Sequence, residues 1–152
     1  MTRSYHRLFY HLVWSTKNRE PFIQPEVEKR LYPFLRKKTV ELNGVFLEMN
    51  GIEDHLHLLV QLPPTQNLAR FMKDLKGSSS HYLTNTSGLG VDFKWQVGYG
   101  VFTVSEDVIP RIRQYIRNQK EHHREGSTLG EWERDNEIAK VIHTADQINS
   151  AG

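Results

Sequence analysis

The sequence predicts an α+β fold: an antiparallel sheet with helices packed on it, close to the ferredoxin-like split βαβ pattern. Three observations predict it. Short runs with alternating side chains recur along the chain, which is the strand period. Between them lie longer stretches with apolar residues at helical spacing. The order is strand, helix, strand, strand, helix, strand, helix.

Arg7 to Thr16 reads as the first strand. Leu8, Tyr10, Leu12 and Trp14 alternate with Phe9, His11 and Val13, so both faces are largely apolar. That suits an interior strand covered on both sides. The basic loop Lys17 to Pro21 follows. A helix runs from Pro25 to Leu42, with Pro33 expected to kink it. Asn43-Gly44 is a stop signal. Val45 to Ile52 and His55 to Leu62 read as antiparallel strands joined by a tight turn, and Pro63-Pro64 ends the second. The second helix spans Asn67 to Leu83. Leu68, Phe71, Met72, Leu75, Ser79 and Tyr82 form its inner stripe.

Thr84 to Asp92 is polar and glycine-bearing, a loop. Phe93 to Val104 reads as an interrupted strand, in which Gly98 and Gly100 mark a bulge or a close backbone approach. The third helix starts near Ser105 or Asp107, with Pro110 tolerated in or near its first turn. Ile109, Ile112 and Ile116 form its buried stripe. Tyr115, Gln119 and His122 flank that stripe, at a rim between core and solvent. Glu121 to Gly130 is polar and expected to be flexible. Trp132, Ile138, Val141 and Ile142 suggest a last amphipathic helix. The reading is one domain over 1–130 and a tail over 131–152 that holds a short helix.

Composition excludes several classes. The chain has 152 residues, no cysteine and a formal net charge of +2. A disulfide framework or thiolate site is therefore absent. No apolar run is long enough to span a membrane, and the N-terminus lacks the apolar core of a signal peptide. The expected location is the cytoplasm. Positive charge is unevenly placed. Arg3, Arg7, Lys17, Arg19, Lys29, Arg30, Arg36, Lys37 and Lys38 face only Glu20, Glu26 and Glu28 in the same stretch. A polyanionic partner and a merely solvated basic surface explain this equally well. On the second helix Arg70, Lys73 and Lys76 lie opposite the apolar stripe with Gly77 and Ser80. With Lys17 and Arg19 they form a candidate phosphate-tracking surface. The run Gly77 to Ser80 is costly in a helix and favours close approach of another backbone.

His55-Leu56-His57 carries the most chemistry. Both histidines share one strand face, their Cβ atoms about 7 Å apart, while Leu56, Leu58 and Val60 point into a core. Two imidazoles so placed can hold one divalent ion, or can be two half-exposed strand residues. Tyr115 and Gln119, four apart, share a helix face.

Tyr10 to Arg19, Asp54 to Val60, Leu75 to Ser80, Trp95 to Ser105, and Tyr115 to Gln119 with Glu121-His122-His123 occur in that order. In this ordered set the chain resembles the single-tyrosine HUH transposases of the insertion-sequence 200/605 family. The resemblance implies a ferredoxin-like, RRM-like palm. It implies an enzyme that cuts and rejoins single-stranded DNA at hairpin-bearing element ends. Tyr115 would attack the scissile phosphate and form a 5′-phosphotyrosine. His55, His57 and Gln119 would hold one magnesium or manganese ion. The enzyme would be a homodimer with composite sites, the histidines of one subunit facing Tyr115 of the other. Asn118-Gln119 favours the insertion-sequence branch over the branch linked to extragenic palindromes. The tail is not basic, so hairpin contacts rest on the basic loop and middle helix. Two other readings compete: a host-adopted or inactive hairpin binder of the same fold, and a metal-dependent phosphoesterase with Glu53 or Asp54 as third ligand. Glu53 can share the histidines' face. Asp54 is on the opposite alternation, which suits a supporting role behind a ligand.

Overall fold

The computed structural model describes residues 4–135. Its strands are β1 (Phe9–Ser15), β2 (Val45–Ile52), β3 (His55–Gln61) and β4 (Gly100–Val104). Its helices are α1 (Pro25–Glu41), α2 (Leu68–His81), α3 (Ile109–Arg117) and α4 (Gln119–Glu125). The four strands form one antiparallel sheet in the order β2-β3-β1-β4. This is the split βαβ order, so the expected fold class is the observed one.

The helices occupy both faces of the sheet. Leu12 and Trp14 of β1 and Leu56, Leu58 and Val60 of β3 pack with α1 and α2 residues such as Leu31, Leu35, Phe71 and Leu75. Phe9 and Leu59 point the other way, onto Val104 and onto Ile112 and Ile116 of α3. β1 and β3 are thus covered on both sides, which is why their sequences are apolar on both alternations. Each fully buried aliphatic side chain here contributes about 1.5–3 kcal/mol. His11, His55 and His57 sit on the α3 face among these residues and are themselves buried.

Several local expectations are refined. α1 continues through Pro33, so the proline interrupts one hydrogen bond without ending the helix. Asn67 caps α2, its side chain accepting from the Arg70 amide at 3.0 Å. The chain then makes a π-type turn over Tyr82–Thr86, which takes up the first residues of the expected loop. The fourth strand is short. Upstream of it Trp95 makes a single bridge to Thr16, and Gly98 takes φ +96. At Gly100 a Cβ would collide with the Arg134 carbonyl, which is the close approach its sequence suggested. Gly77, by contrast, faces open space, and it is Ser79 that receives the neighbouring segment, through the Trp95 indole at 2.9 Å.

Two corrections concern the site. The helix expected to carry both Tyr115 and Gln119 is two helices, parted at Asn118 (φ −97, ψ 20). Asn50 of β2 fastens the break: its amide donates to the Arg117 carbonyl and its oxygen accepts from Lys120, each at 2.8 Å. The segment expected to be flexible after Glu121 is helical to Glu125 and ends at Gly126 with φ +70. A turn at Gly130–Trp132 then brings Trp132, Glu133 and Asp135 back onto the body. Ile138, Val141 and Ile142 of the expected last helix lie outside the described residues.

The β2–β3 hairpin presents His55, and Gly51 makes the hairpin possible. A Cβ there would collide with the His55 carbonyl. Gly51→Ala is expected to lower unfolding stability by about 1–3 kcal/mol. Urea denaturation of the chelated protein checks this; an unchanged midpoint would mean that the hairpin tolerates a Cβ.

Candidate metal and nucleophile site

The two histidines of β3 are tethered from behind. Nδ1 of His55 lies 2.8 Å from a carboxylate oxygen of Asp54. Nδ1 of His57 lies 2.8 Å from Nε2 of His11, the diagonal neighbour on β1. Both Nε2 atoms therefore turn toward one point under α4. Gln119 brings its amide oxygen to 3.2 Å from Nε2 of His55, and Glu133 brings a carboxylate oxygen to the same distance. The other Glu133 oxygen lies 2.9 Å from Nε2 of His57, off the line of a hydrogen bond, so that buried nitrogen has no hydrogen-bond partner. His123 closes the group, its Nε2 at 3.0 Å from the Gln119 oxygen and 2.7 Å from Glu133.

Tyr115 stands beside this cluster in the same chain. Its ring centroid is 6.0 Å from that of His57. Its hydroxyl donates to Glu133 at 3.0 Å and accepts from the Leu129 amide at 3.0 Å. His122 stacks on one side of the ring at 4.7 Å, and Trp132 meets it edge-on at 4.9 Å. The expected rim position holds for half-buried His122, whereas Tyr115 and Gln119 are buried because residues 129–133 fold over them. Within one chain, α3 packs Ile112 and Ile116 against the chain's own sheet, which sets Tyr115 beside the chain's own histidines.

Burial and pairing divide the electrostatics. Burial pushes His57 down to about 4 and His11 down to about 3, so both imidazoles are neutral. Burial also opposes charge on His55, but the hydrogen bonds to Asp54 and Glu133 outweigh it and raise His55 to about 9. Glu133 loses solvation too, yet the hydrogen bond from His55 holds its carboxyl well below the usual carboxylate range. Burial, with the Glu133 charge behind it, raises the Tyr115 hydroxyl to about 12.

The donor set fits a divalent cation. His55, His57 and Glu133 offer one ligand atom each within 4.8 Å of one another, and the bare Nε2 of His57 is an orphaned buried atom aimed among them. Imidazoles with carboxylate and amide oxygens suit manganese and its neighbours, and oxygen-preferring magnesium less well. Glu133, His123 and His11 were not singled out by sequence. The first lies beyond the recognised motifs, and the pairing of His11 with His57 emerges only from strand register. Asp54 takes the supporting place expected of it, and Glu53 is not in the cluster.

The basic residues separate into groups. Lys17, Lys73 and Lys76 line one groove of about 560 Å³ with Lys94, together with Met72, Trp95, Val97 and Tyr99. Lys76 is half-buried and donates to the carbonyls of Gln96 and Gly98, both at 2.7 Å, which ties α2 to the segment before β4. Arg19 turns away to Asp54 at 3.7 Å and Asp135 at 3.6 Å. Arg70 is exposed on the first turn of α2.

Comparison with known proteins identifies the family. The family description "Transposase IS200 like" matches residues 4–119. The chain belongs to the IS200-like transposases. It is 32% identical over 119 residues to the ISDra2 transposase TnpA of Deinococcus radiodurans, covering 75% of this chain and 85% of that one. It is 33% identical over 126 residues to the transposase for insertion sequence element IS200 of Salmonella typhimurium, covering 79% and 82%. A crystal structure of a candidate transposase from Deinococcus radiodurans R1 superposes with a TM-score of 0.62 at 32% identity, over 78% of this chain and 96% of that one. A REP-associated tyrosine transposase bound to a REP hairpin shares the fold, with a TM-score of 0.62 at 14% identity over 81% and 73%. Among the described residues no helix is long and apolar enough to cross a membrane.

The raised His55 has a measurable consequence in metal-free protein. Its ordinary value is 6.5 and its folded value about 9, so the stability it contributes is complete below pH 6.5 and is lost as pH rises through about 9. Buried His57 acts in the other window, costing stability as pH falls from 6.5 to about 4. With chelator present, the thermal midpoint should fall between pH 6.5 and about 9 in the parent and stay level there in His55→Ala. A parent midpoint that is level across that window would contradict the pairing.

Proposed function

We propose that this transposase cuts and rejoins single-stranded DNA at hairpin-bearing ends through Tyr115, with a divalent ion held by His55, His57 and Gln119. The observation that carries this reading is the convergence of the Tyr115 hydroxyl, the two Nε2 atoms and the Gln119 oxygen on one buried centre. Glu133 joins the ligand set, and manganese suits it better than magnesium. When bound, the ion neutralises charge on the phosphate oxygens and orients the phosphorus for in-line attack.

The chain's residues do the rest. Tyr115 supplies the oxygen that bonds to phosphorus as the P–O3′ bond breaks. The 5′-phosphate stays on the tyrosine, and the leaving strand departs as a 3′-hydroxyl. The phenol proton is released to water as the new bond forms, and the departing 3′ oxygen takes one up. A hydroxyl raised to about 12 is a poor nucleophile while Glu133 and Leu129 hold it, so attack requires Tyr115 to exchange those bonds for the substrate. The covalent bond conserves phosphodiester energy, so rejoining needs no nucleotide cofactor. Other tyrosines are poorly placed: Tyr82 stacks on Phe34 at 4.5 Å in the α1–α2 layer, and Tyr99 lines the basic groove.

Lys17, Lys73 and Lys94 would grip the DNA backbone along that groove, with exposed Arg70 extending the track. Lys76 and Arg19, already engaged, would support the walls rather than lead the binding. β4 is an edge strand with Val101 partly exposed, and pairing with a second copy would cover that edge in a homodimer. Within such a dimer the geometry favours Tyr115 acting with its own histidines. The protein would work in the cytoplasm, where its DNA is.

A covalent-trapping experiment tests nucleophile and subunit together. Labelled hairpin single strand with manganese should give a denaturant-resistant adduct with the parent, and none with Tyr115→Phe or His57→Ala. Mixing the two variants should restore no adduct. An adduct in Tyr115→Phe would refute the nucleophile, and rescue in the mixture would show that tyrosines cross between subunits.

A further inference from the structure

We infer that His11 is a positioning residue for the metal centre: it accepts a hydrogen bond from Nδ1–H of His57 and so keeps Nε2 of His57 bare toward the ion. This rests on the metal-dependent reading above and adds a residue to it.

His11 is fully buried on β1, directly opposite Leu59 and diagonal to His57. Its Nε2 is 2.8 Å from Nδ1 of His57, and among the described residues no other group bonds that nitrogen. A neutral imidazole carries one N–H. Two proton arrangements satisfy the contact. In one, His11 donates from Nε2, the proton of His57 sits on its own Nε2, and an N–H points into the centre where a cation would lie. In the other, His57 donates from Nδ1 to His11, and Nε2 of His57 offers a lone pair. Only the second permits ligation.

Ligation of the ion by Nε2 selects the second arrangement. Nε2 of His57 and a Glu133 oxygen face each other at 2.9 Å without an aligned hydrogen bond, a contact between two lone-pair donors that a cation would relieve. Nδ1 of His11 has no hydrogen-bond partner in either arrangement, so it does not choose between them. It lies in an aromatic pocket, with Phe102 at 5.9 Å and Trp132 edge-on at 6.2 Å between ring centroids. These rings give the site its low polarity and keep water away from the pair. The two ligands are thus supported differently: a carboxylate stands behind His55, and a neutral imidazole behind His57. An uncharged support fixes the tautomer without adding negative charge to the centre.

The test uses the full chain. Nitrogen-15 histidine spectra of the parent saturated with magnesium chloride should show His57 protonated at Nδ1. His11→Phe fills the space but cannot accept, so calorimetric affinity for manganese chloride should drop about ten- to hundredfold. His11→Gln offers an amide oxygen and should recover to within about threefold of the parent. Hairpin binding in chelator should be unchanged in both, because neither touches the basic groove. His57 protonated at Nε2 in the magnesium-saturated parent would overturn the inference, and so would His11→Phe affinity within about twofold of the parent. Should His11→Phe not fold, the parent spectrum and His11→Gln still decide. A parent that binds neither ion would instead sink the metal-dependent reading itself.

Discussion

The site depends on burying two imidazoles on one central strand with their back nitrogens tied. A strand alternates faces, so His55 and His57 can share the α3 side only while Leu56 and Leu58 fill the other. Removed from water, an imidazole must be satisfied or it destabilises the core. Asp54 and His11 satisfy the two Nδ1 atoms and leave both Nε2 atoms for a common purpose. Sheet order supplies these partners. β3 lies next to β1, which places His11 within reach, and the tight β2–β3 turn places Asp54 beside His55.

The second face of the sheet brings Tyr115, the proposed nucleophile, to this pair. Ile112 and Ile116 press α3 onto Phe9 and Leu59, which sets Tyr115 at the edge of the histidine cluster. The break at Asn118, fastened by Asn50, lets α4 begin with Gln119 aimed at the same point. Glu133 then touches both histidines, Tyr115 and His123. One carboxylate therefore couples the charge of the centre to Tyr115, the proposed nucleophile. Its low affinity for a proton follows from the neighbouring His55, against the cost of burial.

Much of this was legible in the sequence. Alternation gave β1 and β3 and their double burial, because strands covered on both sides are apolar on both alternations. The inner stripe of α2 matches the buried Phe71, Met72, Leu75 and Ser79. The ordered motifs held His55, His57, Tyr115 and Gln119, and the fold brings all four together. What escaped has physical reasons. Periodicity is blind to a one-residue helix break held by a side chain from another strand, so Asn118 was missed. Glu133 lies in a polar stretch whose partners are all distant in sequence. The lysine stripe on α2 was visible, but that Lys76 spends its charge on backbone carbonyls depends on where the segment before β4 returns.

The central claim is that one chain assembles ligands and nucleophile around a single ion position. Anomalous diffraction from crystals soaked in manganese chloride tests it most directly. The expected result is one peak at ligand distance from Nε2 of both His55 and His57, faced by Tyr115 of the same chain. A peak elsewhere, or a Tyr115 contributed by a neighbouring subunit, would contradict it.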